Sequence, residues 1–257
     1  MSGQDPVGRL ALLCRHPIKS IGYEEIQRAV LTPDRAFPFD REWSVAHDAA
    51  RFGARPDDWA PKMNFVRGWA APALMAVTCR SDESARRLRL SHPDCPDLDI
   101  APDDAADQAR LIAWLRPLWP ENRPDPAHVV HLPGRPMTDV PEPFVAVLSL
   151  SSLADLSARM GQDLSPHRFR GNLWVDGWEP WAEFGLVGQE ITVGAVRLRI
   201  EARITRCRAT CANPATGRHD AEVLQALDAG FGHEDFGVYA RVIGGGAVTL
   251  GDAVERA

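Results

Sequence analysis

Short runs in which apolar and polar residues alternate dominate the chain, and they predict β-strands. Val196, Leu198 and Ile200 alternate with charged residues, which predicts a strand with one buried face. Leu88 and Leu90 alternate with arginines in the same way. Further strands are predicted at residues 26–31, 42–46 and 73–78, and turns at Asp176-Gly177 and Gly251-Asp252.

Helical spacing is confined to three segments. Residues 103–118 begin with acidic side chains and place small and apolar residues on one face. Residues 152–160 open with Ser-x-x-Asp, which resembles a capping box, and residues 220–229 stop at Gly230. Many strands with few helices favour a mainly β chain of the α+β class, built from barrels or sandwiches rather than a doubly wound sheet.

A proline-rich stretch divides the chain. Residues 117–143 contain eight prolines, so we place a domain boundary there and predict domains 1–120 and 121–257. A length of 257 residues is enough for two domains, each with its own core.

Composition excludes several classes of protein. The net charge is −6 and the arginines are dispersed, which argues against nonspecific binding of nucleic acid but leaves room for a small anion held by a few arginines. No run of 18 apolar residues predicts a membrane span, and the N-terminus lacks the pattern of a secretory signal. Because five cysteines are an odd number and do not suggest a disulfide framework, we expect a cytoplasmic protein.

Four segments combine a cation with a turn, a small polar side chain or a thiol, which suits the binding of a phosphate. They are residues 16–20 (HPIKS), 39–41 (FDR), 168–172 (RFRGN) and 206–217 (RCRATCANPATG). Taken singly, each is more often a solvated charge than a ligand. Taken singly, Cys207 is more often a small buried residue than a metal ligand.

In their order along the chain these segments resemble the MOSC proteins that carry an N-terminal β-barrel domain before the MOSC domain. The matching motifs are Pro17-Ile18-Lys19-Ser20, Asp40-Arg41-Glu42-Trp43, Phe169-Arg170-Gly171-Asn172, Glu183, Arg206-Cys207, Asn213-Pro214-Ala215-Thr216-Gly217, Phe236-Gly237-Val238-Tyr239 and Gly251-Asp252. The chain departs from the family at Gly171, where proline is usual, and at Cys211, where threonine is common. The resemblance implies two β-barrel-like domains, a MOSC-associated barrel followed by a MOSC barrel.

The resemblance also implies a molybdenum cofactor, in which one pterin dithiolene and one protein thiolate bind the metal. By position, Cys207 is the metal ligand and the catalytic residue. Ser152 is equally well interpreted as an ordinary helix cap, and Asn172 either orients the pterin or closes a turn. The predicted cofactor-binding residues are Lys19, Ser20, Arg41, Ser149, Ser151, Ser152, Arg168, Arg170, Asn172, Arg206 and Tyr239.

Some members of the resembling family reduce amidoximes or hydroxylaminopurines. The resemblance to these members implies a molybdenum-dependent oxidoreductase that cleaves the N–O bond of an N-hydroxylated small molecule. Electrons would come from an external ferredoxin, flavoprotein or haem protein, and the cofactor could be a nucleotide form. The alternative is a carrier of cofactor or sulfur that uses Cys207 without turnover. A third interpretation keeps the fold and an anion pocket without a metal.

Overall fold

The structure, a computed structural model, describes residues 8–53 and 55–257. In chain order the strands are β1 (Gly8–Arg15), β2 (Glu24–Ile26), β3 (Arg28–Leu31), β4 (Trp43–His47), β5 (Thr78–Asp82), β6 (Arg87–His92), β7 (Cys95–Ile100), β8 (Pro126–His131), β9 (Val145–Ser149), β10 (Leu173–Asp176), β11 (Glu190–Val193), β12 (Val196–Thr205), β13 (Asp235–Gly244), β14 (Gly246–Thr249) and β15 (Ala253–Arg256). The α-helices are α1 (Ala105–Leu115), α2 (Leu150–Met160) and α3 (Val223–Phe231). Short 3-10 helices cover Lys62–Asn64, Pro72–Ala76, Arg116–Leu118, Pro166–Phe169, Ala182–Leu186 and Arg208–Cys211.

Seven strands close into a barrel. Their order is β10, β9, β13, β12, β11, β15 and β1, and β1 returns to pair with β10. The alternation predicted for β12 is confirmed, since Val196, Leu198 and Ile200 are fully buried in the barrel core. Closure leaves these strands without open edges, which is how a barrel satisfies its backbone hydrogen bonds.

Smaller sheets lie beside the barrel. Strands β5, β6 and β7 form an antiparallel sheet with α1, and β4 pairs with β8. A second hydrophobic core unites these elements around Trp43, Leu90 and Leu111, each of which is fully buried. The mainly β fold class with a few helices is confirmed, and three α-helices occur in the described part of the chain.

Strands that precede the proline-rich stretch pair with strands that lie within it or follow it. Strand β1 pairs with β10 and β15, and β3 pairs with β14 near the C-terminus. Strand β8 follows residue 120 but pairs with β4. The boundary at residue 120 stays a prediction, and these pairings tie the two halves of the chain together.

Two predicted elements were wrong in detail. Residues 73–78 were predicted as a strand, but a 3-10 helix begins at Pro72 because proline is well suited to a first helical position and Leu74, Met75 and Ala76 are all buried in succession. Helix α3 continues past Gly230 and ends at Phe231, because it is Gly232 that adopts the left-handed conformation of a C-cap. Nowhere in the described chain does a helix reach the length and apolar character that crossing a bilayer requires.

Candidate functional site

Loops beside the barrel bring four cationic side chains into one cluster, formed by Lys19, Arg41, Arg170 and Arg206. Backbone hydrogen bonds position the first two, since Lys19 N donates to Trp43 O at 2.8 Å and Arg41 N donates to His16 O at 2.8 Å. Arg41 Nη2 donates to the carbonyl of Arg170 at 3.2 Å, which links the segments. We call these four residues the cation cluster.

Two members of the cation cluster have carboxylate partners. Arg41 forms an ion pair with the buried Asp40. Lys19 is 2% exposed and its Nζ donates to Asp139, whose side chain is exposed. Desolvation by the surrounding protein, strongest at the buried Asp40, would raise the pKa of both carboxyls, but the neighbouring cations outweigh it and hold the pKa of each below its usual range.

The other two members of the cation cluster contact only backbone carbonyls among their hydrogen-bond partners in the described chain. Arg170 donates to Gly22 O at 3.1 Å and to Ile18 O at 3.4 Å. Arg206 donates from Nε to Phe236 O and from Nη1 to Phe169 O, both at 2.7 Å. Four cations and two carboxylates therefore leave an excess of about two positive charges in a largely enclosed space.

Burial, with a smaller contribution from the neighbouring cations, lowers the pKa of both arginines that lack a carboxylate partner. Burial, followed by repulsion from Arg41, lowers the pKa of Arg170 to about 9. Burial also lowers the pKa of Arg206 to about 10, and Arg41 adds to the effect. A guanidinium normally titrates well above this range, so the site destabilises the charged form of both arginines. A bound anion would offset this destabilisation.

The backbone at three predicted binding residues adopts the left-handed conformation. The φ angles are 63° at Ser20, 52° at Arg41 and 49° at Arg170. For residues with a Cβ this conformation costs about 1–2 kcal/mol each. Such strain persists where the surrounding structure enforces it, and it concentrates at binding sites.

The thiol of Cys207 lies at the end of β12, beside the cation cluster, and is exposed. The 3-10 helix Arg208–Cys211 begins directly after it, and Thr210 donates to Cys207 O from both its backbone N and its Oγ1 at 3.0 Å. Arg206 and Cys207 both act electrostatically on the half-buried Tyr239, whose pKa burial raises. Cys211, by contrast, is buried among apolar side chains.

Arg168 lies away from the cation cluster and organises the loop that follows Cys207. Its guanidinium is 2% exposed, donates from Nη2 to Asp220 Oδ1 at 2.6 Å and contacts Thr210 O at 3.4 Å. Asn213 also donates to Asp220, at 2.6 Å. Arg168 therefore fixes both ends of the loop from Thr210 to Asp220.

Asn172 joins three strands rather than facing the cation cluster. Its Oδ1 accepts from Ala146 N at 3.1 Å and its Nδ2 donates to Cys14 O at 3.2 Å. The preceding Gly171 has no room for a side chain, because a Cβ there would lie 2.2 Å from Leu148 Cδ1. Glycine at this position thus leaves the space that the side chain of Leu148 occupies.

The serines at the start of α2 belong to a separate network. Ser149 caps the helix by accepting from Ser152 N at 3.2 Å, and Ser152 Oγ donates to Glu183 Oε2 at 2.8 Å. Glu183 is fully buried, and burial raises its pKa. The carboxyl group near this helix N-terminus is thus that of Glu183, a side chain of the protein rather than a bound ligand. The assignment of Ser149, Ser151 and Ser152 to a cofactor stays a prediction.

Sequence reasoning did not assign a role to three residues that shape the charge of the site. His16 is fully buried. Its backbone N and its Nδ1 both donate to Asp40 Oδ1, at 2.7 Å and 3.0 Å. Both lie in segments that the sequence singled out. Asp139 lies in the proline-rich stretch, three residues after Pro136. No motif in the sequence marks it as a residue of the site.

The barrel and the cation cluster define a β-barrel protein with an exposed thiol beside a site suited to an anion. A model of the MOSC domain matches residues 135–255, and a model of the MOSC N-terminal beta barrel domain matches residues 7–116. The chain belongs to the MOSC family, in the arrangement that places this beta barrel domain first. MOSC domains are associated with molybdenum cofactor binding.

Individual relatives are more distant. A segment of 78 residues is 35% identical to the molybdenum cofactor sulfurase of Anopheles gambiae, and it covers 30% of this chain and 10% of that protein. The YUAD protein from Bacillus subtilis is 12% identical with a TM-score of 0.47, covering 98% of this chain and 97% of that one. YiiM from Geobacillus stearothermophilus is 16% identical with a TM-score of 0.35, covering 44% of this chain and 53% of that one.

The residues present fit a phosphorylated cofactor that brings its own metal donors. Arg170 and Arg206 are enclosed cations that an anion would neutralise, and each can donate charge-assisted hydrogen bonds. The described residues contain no cluster of three or more His, Cys, Asp or Glu side chains suited to a metal ion. A single exposed thiol, Cys207, suits a metal whose other ligands are supplied by a cofactor.

Proposed function

We propose that this protein binds a molybdenum cofactor through Cys207 and the cation cluster, and that it reduces N-hydroxylated small molecules. The proposal is carried by one observation. Arg170 and Arg206 are half-buried and, among the described residues, donate hydrogen bonds only to backbone carbonyls, while the exposed thiol of Cys207 lies beside them. Burying these charges without a counter-ion destabilises the free protein. A bound anion would neutralise them, and a soft metal carried by that anion would bind the thiol.

Each residue of the site has a distinct role in this proposal. Cys207 Sγ would hold the metal as a thiolate, which requires that the thiol give up its proton to solvent. Arg170 and Arg206 donate to the phosphate, and Lys19 and Arg41 add positive charge. The Tyr239 phenol keeps its proton at neutral pH already at its ordinary pKa, which burial raises further, so it would donate a hydrogen bond to the cofactor. When bound, the cofactor would supply the two-electron redox chemistry.

The proposed reaction consumes two electrons and two protons for each substrate molecule. The N–O bond of R–NH–OH is cleaved, the substrate nitrogen is reduced to R–NH2, and the oxygen leaves as water. Electrons come from a separate redox protein and protons from solvent. The protein's own side chains bind and orient the reactants.

The first test is the molybdenum content of the protein, produced in cells that make abundant cofactor. We expect near-stoichiometric molybdenum in the wild type and its loss in Cys207→Ala. The loaded wild type should also reduce an N-hydroxy substrate with reduced methyl viologen as donor. Stoichiometric molybdenum in the Cys207→Ala protein would contradict the assignment of the thiolate ligand.

A second candidate, a carrier of cofactor or sulfur, is favoured by the matched segment of a relative named as a molybdenum cofactor sulfurase. The exposed thiol of Cys207 would then hold a persulfide or hand over the cofactor without turnover. Intact-mass analysis separates the two functions. A persulfide on Cys207 without viologen-driven reduction supports the carrier, whereas turnover without a persulfide supports the reductase.

A further inference from the structure

Trp69 is an exposed aromatic side chain that lies between two arginines. It is 41% exposed, and the guanidinium carbons of Arg67 and Arg123 lie 5.5 Å and 5.1 Å from its ring. Cation–π contact holds both charges against the ring. We call these three residues the Trp69 patch.

The charge of the Trp69 patch is uncompensated. Within the described chain neither Arg67 nor Arg123 has a carboxylate within ion-pair distance. Asp125, close to Arg123 in sequence, faces Arg116 at 3.9 Å instead. The patch therefore carries two positive charges on a chain whose net charge is −6.

The Trp69 patch borders the exposed thiol. Gly68, between two residues of the patch, packs so closely on the loop after Cys207 that a Cβ on it would lie 3.4 Å from the Cβ of Ala209. Ala209 follows Cys207 by two residues, which span at most about 7 Å of chain. A protein bound to this patch would therefore lie next to the proposed metal site.

We propose that the Trp69 patch binds the electron-donor protein and that this donor presents an acidic surface. This inference rests on the proposed reductase function. Tryptophan and arginine are the residue types that contribute most to protein interfaces. Charge complementarity to two unpaired cations selects an acidic partner and accelerates encounter. Two molecules of a one-electron donor, or one two-electron donor, are oxidised for each N–O bond reduced.

The test compares two double variants with the same change in charge. Arg67→Glu with Arg123→Glu reverses the patch, whereas Arg28→Glu with Arg199→Glu reverses two exposed arginines that have no carboxylate partner in the described chain. Binding of an acidic plant-type ferredoxin and an acidic flavodoxin is titrated at low and high salt, with basic cytochrome c as the opposite probe. Viologen-driven reduction is measured in parallel.

We expect the wild type to bind an acidic probe, with an affinity that falls as salt rises. The patch variant should bind it at least about tenfold more weakly at low salt, and the control variant should match the wild type. Viologen-driven reduction should be equal in all three proteins. Equal binding by the patch variant, an equal loss in the control variant, or preference for cytochrome c would overturn the proposal. Absence of viologen-driven reduction in the wild type would refute the reductase function, and the titration would still test the patch.

Discussion

Replacement of Asp40 by asparagine tests whether the cation cluster depends on its buried counter-ion. Asp40 is 3% exposed and accepts from His16 N at 2.7 Å, from His16 Nδ1 at 3.0 Å and from the guanidinium of Arg41. Asparagine keeps one carbonyl acceptor but turns an amide donor towards these donors. Removing one partner of a buried ion pair costs about 3–5 kcal/mol, so we expect the free energy of unfolding to fall by about that amount.

The pH dependence gives this prediction a second readout. Because Arg41 and His16 hold the pKa of Asp40 below its usual value, the carboxylate stabilises the fold fully above the ordinary pKa of about 3.9. That stabilisation is lost as the pH falls from there through the lower pKa of the folded state. The difference in unfolding free energy between wild type and Asp40→Asn should therefore shrink below about pH 4.

Urea unfolding, followed by tryptophan fluorescence between pH 7 and 3.5, measures both effects. Asp34→Asn is a matched control, because Asp34 also pairs with an arginine, Arg241 at 3.0 Å, but is 71% exposed. We expect this exposed pair to contribute less than about 1 kcal/mol. If Asp40→Asn and Asp34→Asn have equally small effects, the buried counter-ion does not hold the cation cluster together.

Three further changes probe the site and its surroundings. Arg206→Gln should reduce retained molybdenum at least about tenfold on dialysis, because a charge-assisted hydrogen bond contributes about 1.5–3 kcal/mol, and full retention by mass spectrometry would contradict its role. Gly171→Ala should destabilise the fold by about 1–3 kcal/mol through its clash with Leu148, and Leu148→Ala should rescue part of this loss in a double-mutant cycle of urea unfolding. Burial raises the pKa of Glu183, so its ionisation destabilises the fold as pH rises from about 4.3 towards its higher folded value. Glu183→Gln should therefore remove that part of the pH dependence, and an unchanged profile of unfolding free energy against pH would argue against an unpaired buried carboxylate.

The sequence predicted elements whose signal is local. The alternation of Val196, Leu198 and Ile200 reports directly which face of β12 is buried, so the strand was predicted correctly. The same reasoning failed at residues 73–78, because consecutive apolar residues there bury together in a 3-10 helix. Apolar content alone does not distinguish such a turn from a buried strand.

The site was predictable where a motif carries its own cation or thiol. Lys19, Arg41, Arg170 and Arg206 were all selected from the sequence, and the structure brings them together. Their charge balance was not predictable, because the partner of Lys19 lies 120 residues away at Asp139. Pairings over such distances depend on tertiary structure rather than on any local pattern.

The pairing of β1 with both β10 and β15 has a consequence for how the protein is made. The barrel cannot close until the last strand, Ala253–Arg256, has left the ribosome. At about 5–20 residues per second, β15 follows β1 by on the order of tens of seconds, during which β1 can pair only with β2 and later with β10. The cation cluster takes residues from both halves of the chain, and Arg206 needs its acceptor Phe236, so the cluster also forms late in synthesis. The closed barrel that supports the anion site therefore forms late in synthesis, once β15 can pair with both β1 and β11.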